Sequence, residues 1–363
     1  MTVQYLLVPA AFCFGALIGS FLNVCIYRIP REISMIHPAR SFCPKCQTSI
    51  PGSQNIPILS WFLLRGRCAR CQAPISPRYA VVETLTALLF ATSAFLIPIP
   101  TLFSVCVILS ILVVTTFVDL EFFIIPDVMS KGGIVAGLLL SLLTPGLHKT
   151  SSPLVAVALS LSGALIGALI LFLISELGKL AFGRYKVKLE VPAKFTLDAL
   201  PPDDWRILIG DEPFLWSEHF FRKSDRIIVH ADEVKIDGTD YRQVDLTFLH
   251  DRLVTAKETI PLDKITNLSG LTAFAQFPRE AMGLGDVKLI ATIGTFVGWQ
   301  GVLFTIAGAS FLGATFGIAA IALGQRERSA KIPFGPYLAM AAVIWLFWGD
   351  GLLSLYEQSI LRL

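Results

Sequence analysis

The feature that most limits how this chain can fold is its long apolar runs: 5–26, 80–98, 101–118, 128–146, 153–181, 285–300, 301–323 and 334–357. A helix needs about 20 mostly apolar residues to cross roughly 30 Å of hydrocarbon, and each run is near that length. Hydrophobic residues make up 54% of the 363 and charged residues 16%, with a mean hydropathy of +0.67. That is too apolar for a water-soluble chain of this size. The expected fold is a polytopic α-helical membrane protein of about eight transmembrane helices. No basic region precedes the first run and no A-x-A motif ends it, so it does not read as a cleaved signal peptide.

Basic loops set the expected orientation. Residues 27–79 carry Arg28, Arg31, Arg40, Lys45, Arg65, Arg67, Arg70 and Arg78 against one acid, Glu32, and "GQRERSAK" (324–331) is basic as well. With eight spans both loops share one side only if the N- and C-termini lie outside. Asp119, the 27–79 loop and the polar segment 183–280 then face the cytoplasm. The net charge of +3 is small and suggests no nucleic-acid partner. Residues 183–280 are charged and rich in β-branched residues, with turn signals such as Asp237-Gly238, and predict an inserted soluble β-rich domain. The organisation expected is therefore a first helix over 1–26, a cytoplasmic loop over 27–79, and helices 2–5 over 80–182. The insert (183–280) and helices 6–8 (281–363) complete it.

The 27–79 loop holds two C-x-x-C pairs, Cys43/Cys46 and Cys68/Cys71. Each pair can offer two thiolates to one metal, and the spacing between the pairs suits a zinc ribbon. Each pair is followed by a Gln and a turn-forming stretch, as if one hairpin had been duplicated. Two disulfides would use the same residues, but a reducing cytoplasm disfavours them. Four thiolates leave no open coordination position, so the Zn2+ site is expected to be structural. His37 reads as an ordinary loop residue. Cys13, Cys25 and Cys106 lie in apolar runs and behave as small hydrophobes.

Two acids stand where hydrocarbon begins. "FVDLEFFIIPD" places Asp119 at the end of the third run, and "MGLGDVKL" places Asp286 at the start of the sixth. Intramembrane acids are costly and usually face a polar cavity. Two carboxylates brought together share a proton and split their titrations, so one can activate water while the other polarises a carbonyl. Ion-coupled transporters also hold paired acids, so residue types alone leave both classes open, although no matching inverted halves are visible. Gly283 and Gly285 would let an extended backbone approach Asp286. Asp127, after Pro126, reads as a helix-start acid, Glu121 as interfacial, and Lys288 as having no role. Pro333 and Pro336 either start the last helix or bring its turn to the site.

"GALIGSFLNVCIYRIP" (15–30), the paired C-x-x-C, "FVDLEFFIIPD" (117–127), "MGLGDVKL" (282–289) and "KIPFGPYLA" (331–339) together resemble the bacterial prepilin peptidase family, in family order. The resemblance implies an eight-helix inner-membrane aspartic protease of the GxGD type, with Asp119 and Asp286 as its catalytic pair. It implies that Cys43, Cys46, Cys68 and Cys71 bind zinc and that Gly66 is associated with methylation. It further implies a two-step reaction on type IV prepilins and pseudopilins. A short basic leader is removed after a glycine, and the new N-terminus is methylated from S-adenosylmethionine. No Gly-rich cofactor cradle is visible, so methyl transfer rests on the resemblance, and a leader peptidase without it is the alternative. The insert departs from the family pattern. It reads as a packed accessory domain open to contact with type II secretion or type IV pilus machinery.

Overall fold

A computed structural model describes residues 2–37, 41–182, 184–200, 204–216, 220, 225–256, 258–278, 283–323 and 333–360. The basic loop 324–331 and Arg40 lie outside the described residues. The chain divides into two compact units, Met1–Phe172 with Leu284–Leu363, and Leu173–Gly283.

The first unit is helical: α1 (Thr2–Arg28), a single turn α2 (Leu59–Leu63), α3 (Arg78–Leu96), α4 (Ile99–Phe122), α5 (Asp127–Leu143), α6 (Pro153–Phe182), α7 (Leu284–Ala322) and α8 (Gly335–Ile360). Prolines open several of these helices, where a missing N–H costs nothing: Pro98 precedes α4 and Pro126 precedes α5. Phe123 closes α4 in a left-handed conformation (φ 56°), its N–H donating to the Asp119 carbonyl at 3.0 Å. Among the described residues, six helices are long and apolar enough to cross a membrane. The expected count of eight is not met by that measure, for two physical reasons. α5, the expected 128–146 span, has only 17 residues, at the lower edge of what can span. The runs 285–300 and 301–323 form one 39-residue helix.

That helix is interrupted. Gly298 adopts φ 68°, ψ −179°, a region open in practice only to glycine. Side chains gather on the Thr295 carbonyl just before the break: Ser160 Oγ at 2.8 Å, His148 Nε2 at 3.1 Å and Ser141 Oγ at 3.3 Å. Before the break α7 runs parallel to α5, with Lys288 on Asp127, Thr292 on the Ser130 carbonyl, and Gly137 against Thr295. After it α7 runs antiparallel to α8, with Gly301 against Trp345, Gly308 against Ala341, and Gly313 against Tyr337. The chain therefore reverses at Gly298. α6 approaches the first half closely enough that a Cβ on Gly163 would meet the Gly294 carbonyl oxygen at 2.3 Å. Only paired glycines permit that backbone contact.

The second unit contains the end of α6 and one antiparallel sheet. Its strands are β1 (Arg184–Leu200), β2 (Asp204–Ile209), β3 (Glu212–Leu215) and β4 (Ile227–Ile236). β5 (Thr239–Phe248), β6 (Arg252–Val254), β7 (Thr259–Pro261) and β8 (Leu268–Pro278) complete it. The order is β3-β2-β1-β8-β4-β5-β6-β7. β4 and β5 are joined by the two residues Asp237-Gly238, both at positive φ (46° and 92°), as a primed hairpin turn demands. Phe195, Phe248 and Phe277 are fully buried in its core, and Trp216 packs edge-on against Phe248. The segment expected to be β-rich is so.

Candidate active site

Asp119 occupies the last turn of α4 and is 5% exposed. The first residue of α8 meets it: the Gly335 N–H donates to Asp119 Oδ2 at 3.0 Å. Gly335 contributes one of the unpaired N–H groups at a helix start, where the dipole is positive and favours a carboxylate. A Cβ on Gly335 would lie 2.7 Å from Asp119 Oδ2, so no other residue fits without moving the acid. Asp286 stands in the first turn of α7, next to Gly285. One side chain joins the parts. Ile125, in the turn after α4, is the nearest neighbour of a Cβ built on Gly285, at 3.1 Å, and lies 3.4 Å from one built on Gly335. Four pieces of chain thus converge: the end of α4, the turn behind it, and the starts of α7 and α8.

Gly283 is exposed, just ahead of α7, while Met282, Lys331 and Ile332 lie outside the described residues. Gly335 is the site residue the sequence reading missed. The signal available was a glycine between Pro333 and Pro336, and both readings of that motif hold, since it starts α8 and reaches Asp119. Lys288 is also more engaged than expected. It pairs with Asp127 Oδ1 at 2.5 Å, and Lys131 takes the other oxygen of Asp127 at 2.6 Å. Glu121 pairs with Arg31 at 3.2 Å and with Arg78, tying the end of α4 to the Cys-rich loop.

In that loop the four cysteine sulfurs lie within 4.8 Å of one another, and Cys43 Sγ is 3.8 Å from Cys71 Sγ. Tetrahedral Zn–S bonds of about 2.3 Å put their sulfurs about 3.8 Å apart, so the set fits a zinc ion. The two pairs are built alike. Cys43 and Cys68 accept from Gln47 and Gln72 (2.8 and 3.0 Å), both at φ 56°, and donate to the carbonyls of Thr48 and Ala73 (3.0 and 2.9 Å). Single bridges Phe42–Ser49 and Arg67–Pro74 close each hairpin. Hydrogen bonds from Thr48 pull the Cys46 thiol down to about 6, and backbone N–H groups of Cys71 and Arg70 lower Cys68. Against a lowering hydrogen bond from Ala73, burial and the neighbouring sulfurs hold Cys71 up at about 11. Metal binding would displace the thiol protons.

Gly66 is a backbone hinge at φ 65°, its N–H on the Trp61 carbonyl (2.8 Å) and its carbonyl taking the Ile75 N–H (2.7 Å). A Cβ there would press on the Trp61 ring at 3.0 Å. Trp61 in turn lines a cavity of about 640 Å3 between this loop and the adjacent ends of α1 and α3.

Residues 13–97 match the model described as the bacterial peptidase A24 N-terminal domain, and residues 265–318 match that of the type IV leader peptidase family. The chain is 30% identical to a prepilin leader peptidase/N-methyltransferase of Aeromonas hydrophila, over 99% of this chain and 97% of that one. It belongs to the type IV leader peptidase family. A relative of the same name from Pseudomonas aeruginosa is 28% identical over 95% of this chain and 91% of its own. One from Myxococcus xanthus is 42% identical, over 36% of this chain and 39% of its own. No solved structure matches the chain. Within the leader peptidase framework, the first model spans the cysteine loop and nearly all of the cavity wall, and the second includes Asp286.

Proposed function

We propose that this leader peptidase cleaves the short basic leader of type IV prepilins or pseudopilins after a glycine and then N-methylates the new N-terminal residue. Both activities are named for relatives matched along almost the full chain. What supports the peptidase site is that the end of α4 with Asp119 and the start of α7 with Asp286 meet around Ile125 and the Gly335 N–H. Sharing one proton, the ionised member takes a proton from water as the water attacks the scissile carbonyl, and the protonated member donates to the carbonyl oxygen. Collapse of the tetrahedral intermediate expels the amine, which takes up a proton. Gly283 and Gly285 leave room for the extended leader beside Asp286. When bound, S-adenosylmethionine supplies an electrophilic methyl group. The Cys43, Cys46, Cys68 and Cys71 site holds structural zinc.

The protein lies in the bacterial inner membrane. In the proposed arrangement it crosses eight times, with α5 as a short span and the two halves of α7 as an antiparallel pair hinged at Gly298. The arginines of the 27–79 loop sit at the Asp119 end of the helices, so the positive-inside rule puts the site at the cytoplasmic face and both termini in the periplasm. The substrate's apolar helix would then stay in the bilayer, its leader cytoplasmic and the scissile bond at the boundary. The 183–280 domain is an accessory module toward the secretion or pilus assembly, dispensable for cleavage itself.

The test is detergent-purified protein incubated with a prepilin, read by mass spectrometry. Loss of the leader reports cleavage, and one added methylene reports methylation. Asp119→Asn and Asp286→Asn should each lower cleavage by at least about 10²-fold; full cleavage by either variant would refute the assignment of the pair.

A further inference from the structure

The cavity beneath the cysteine loop is not part of the carboxylate site, and its walls specify a ligand. At about 640 Å3 it is of cofactor size. Glu83, on α3, is buried in its wall, and Glu83 Oε2 accepts the Ile58 N–H at 2.6 Å. Ile58 itself sits at φ 65°, ψ −56°, a costly conformation for a β-branched residue. The loop therefore spends strain to close over Glu83, and such strain collects at ligand clamps. The Glu83 carboxylate still has acceptor capacity beyond this donor. Among the described residues, Asn23, 2% exposed, has no partner for Oδ1, and Arg78, whose Nη1 pairs with Glu121, has none for Nε. Trp61 and Tyr79 supply aromatic faces, the first fixed by Gly66 and by its own Nε1–H bond to the Ile75 carbonyl at 3.2 Å.

We infer that this cavity binds the methyl donor, S-adenosylmethionine, with Glu83, Asn23, Arg78 and Trp61 as its recognition residues; the inference rests on the methyl-transfer half of the proposed function. The chemistry matches part by part. A carboxylate suits the ribose diol, an amide oxygen the α-ammonium, a guanidinium the α-carboxylate, and an indole face the adenine. The wall also carries Arg28, Arg31, Lys45 and Arg78, cations of the kind that hold an α-carboxylate. Glu121 also places the cavity beside the peptidase site, since it lies two residues beyond Asp119 on α4. A newly freed N-terminus has only the end of that helix to round. In the transfer the amine nitrogen, deprotonated by solvent, forms the N–CH3 bond as the S–CH3 bond breaks. The sulfur keeps the electron pair and leaves as a neutral thioether.

S-adenosylhomocysteine is the probe, titrated calorimetrically into the full-length protein in detergent. Wild type should bind with one-to-one stoichiometry. Glu83→Gln, and Val24→Trp, which fills the cavity from α1, should each weaken binding at least tenfold, with helicity and gel-filtration volume as checks on the fold. Hydrogen exchange on the wild type gives a readout free of mutation: the probe should slow exchange over 54–64 and 75–83. No binding by wild type would defeat the methyl-donor reading of the proposed function itself. Binding with unchanged affinity in both folded variants, protection confined elsewhere, or competitive displacement by a synthetic leader peptide would overturn the cavity assignment alone.

Discussion

Gly335 donates its backbone N–H to Asp119 Oδ2 at 3.0 Å, and the space a Cβ would need there is already filled by that oxygen, 2.7 Å away. The acid at the end of α4 is therefore held by the start of α8. Gly335→Ala should push the carboxylate aside and lower kcat for leader cleavage by about 10²-fold, the scale of a 1 Å misplacement. The unfolding temperature should change little, because the strain is relieved by a side-chain shift. Steady-state cleavage kinetics alongside a thermal melt test this. A variant that cleaves normally would mean that Asp119 does not need the Gly335 contact.

The four-cysteine site predicts one zinc per chain by elemental analysis of purified protein. Cys43→Ser should remove most of it, since a tetrahedral site with three thiolates and a weak hydroxyl loses the fit that sulfurs 3.8 Å apart provide. If an ion held by all four sulfurs clamps the two hairpins together, the variant should be cut by protease within 41–75 far faster than wild type. Equal zinc content in variant and wild type would exclude this ligand set.

Much of this arrangement could be read in the sequence where local chemistry decides it. The Asp237-Gly238 hairpin, the duplicated cysteine turns and the acids at the ends of apolar runs each follow from residue type and spacing. Where packing across distant elements decides, the sequence is silent. Nothing local tells that Gly335 lies against Asp119, that Lys288 reaches Asp127, or that Ile125 fits between two glycines. The two runs at 285–323 look like separate spans, and the structure joins them because Gly298 can reverse the chain without a loop. The 128–146 run looks longer than α5 because Pro145 ends the apolar stretch as a 3-10 turn (Pro145–His148) rather than as helix.

Asp237 gives a pH test in the β-rich unit. Its Oδ1 accepts from Thr266 Oγ1 (2.6 Å), Asn267 N–H (2.8 Å) and Thr266 N–H (3.0 Å), and these bonds, the Thr266 hydroxyl first, hold its carboxyl below the usual range. The group binds a proton more readily when the turn is open. Its stabilisation is therefore present above the unfolded value of about 3.9 and lost as pH falls through the folded one. Hydrogen exchange at 237–238 and 266–267 in the full-length protein should accelerate, relative to the β4–β5 strands, as pH drops through that window. In Asp237→Asn the local change should vanish. A wild-type turn as protected at low pH as at neutral pH would contradict this.

Gly298 is the position on which the path of α7 turns. A Cβ there meets nothing closer than His148 Nδ1 at 3.6 Å, so space does not forbid alanine; the backbone does. At φ 68°, ψ −179° an L-residue costs about 1–3 kcal/mol, and Gly298→Ala should destabilise the folded helices by that amount. His148→Ala tests the same break from the other side. It removes one of three donors on the Thr295 carbonyl, leaving Ser160 and Ser141 in place, so it should cost only about 1 kcal/mol. Unfolding titrations in a common detergent distinguish the two. The order matters more than either value: if His148→Ala cost more than Gly298→Ala, the reversal would depend on the side-chain cap and not on the glycine backbone.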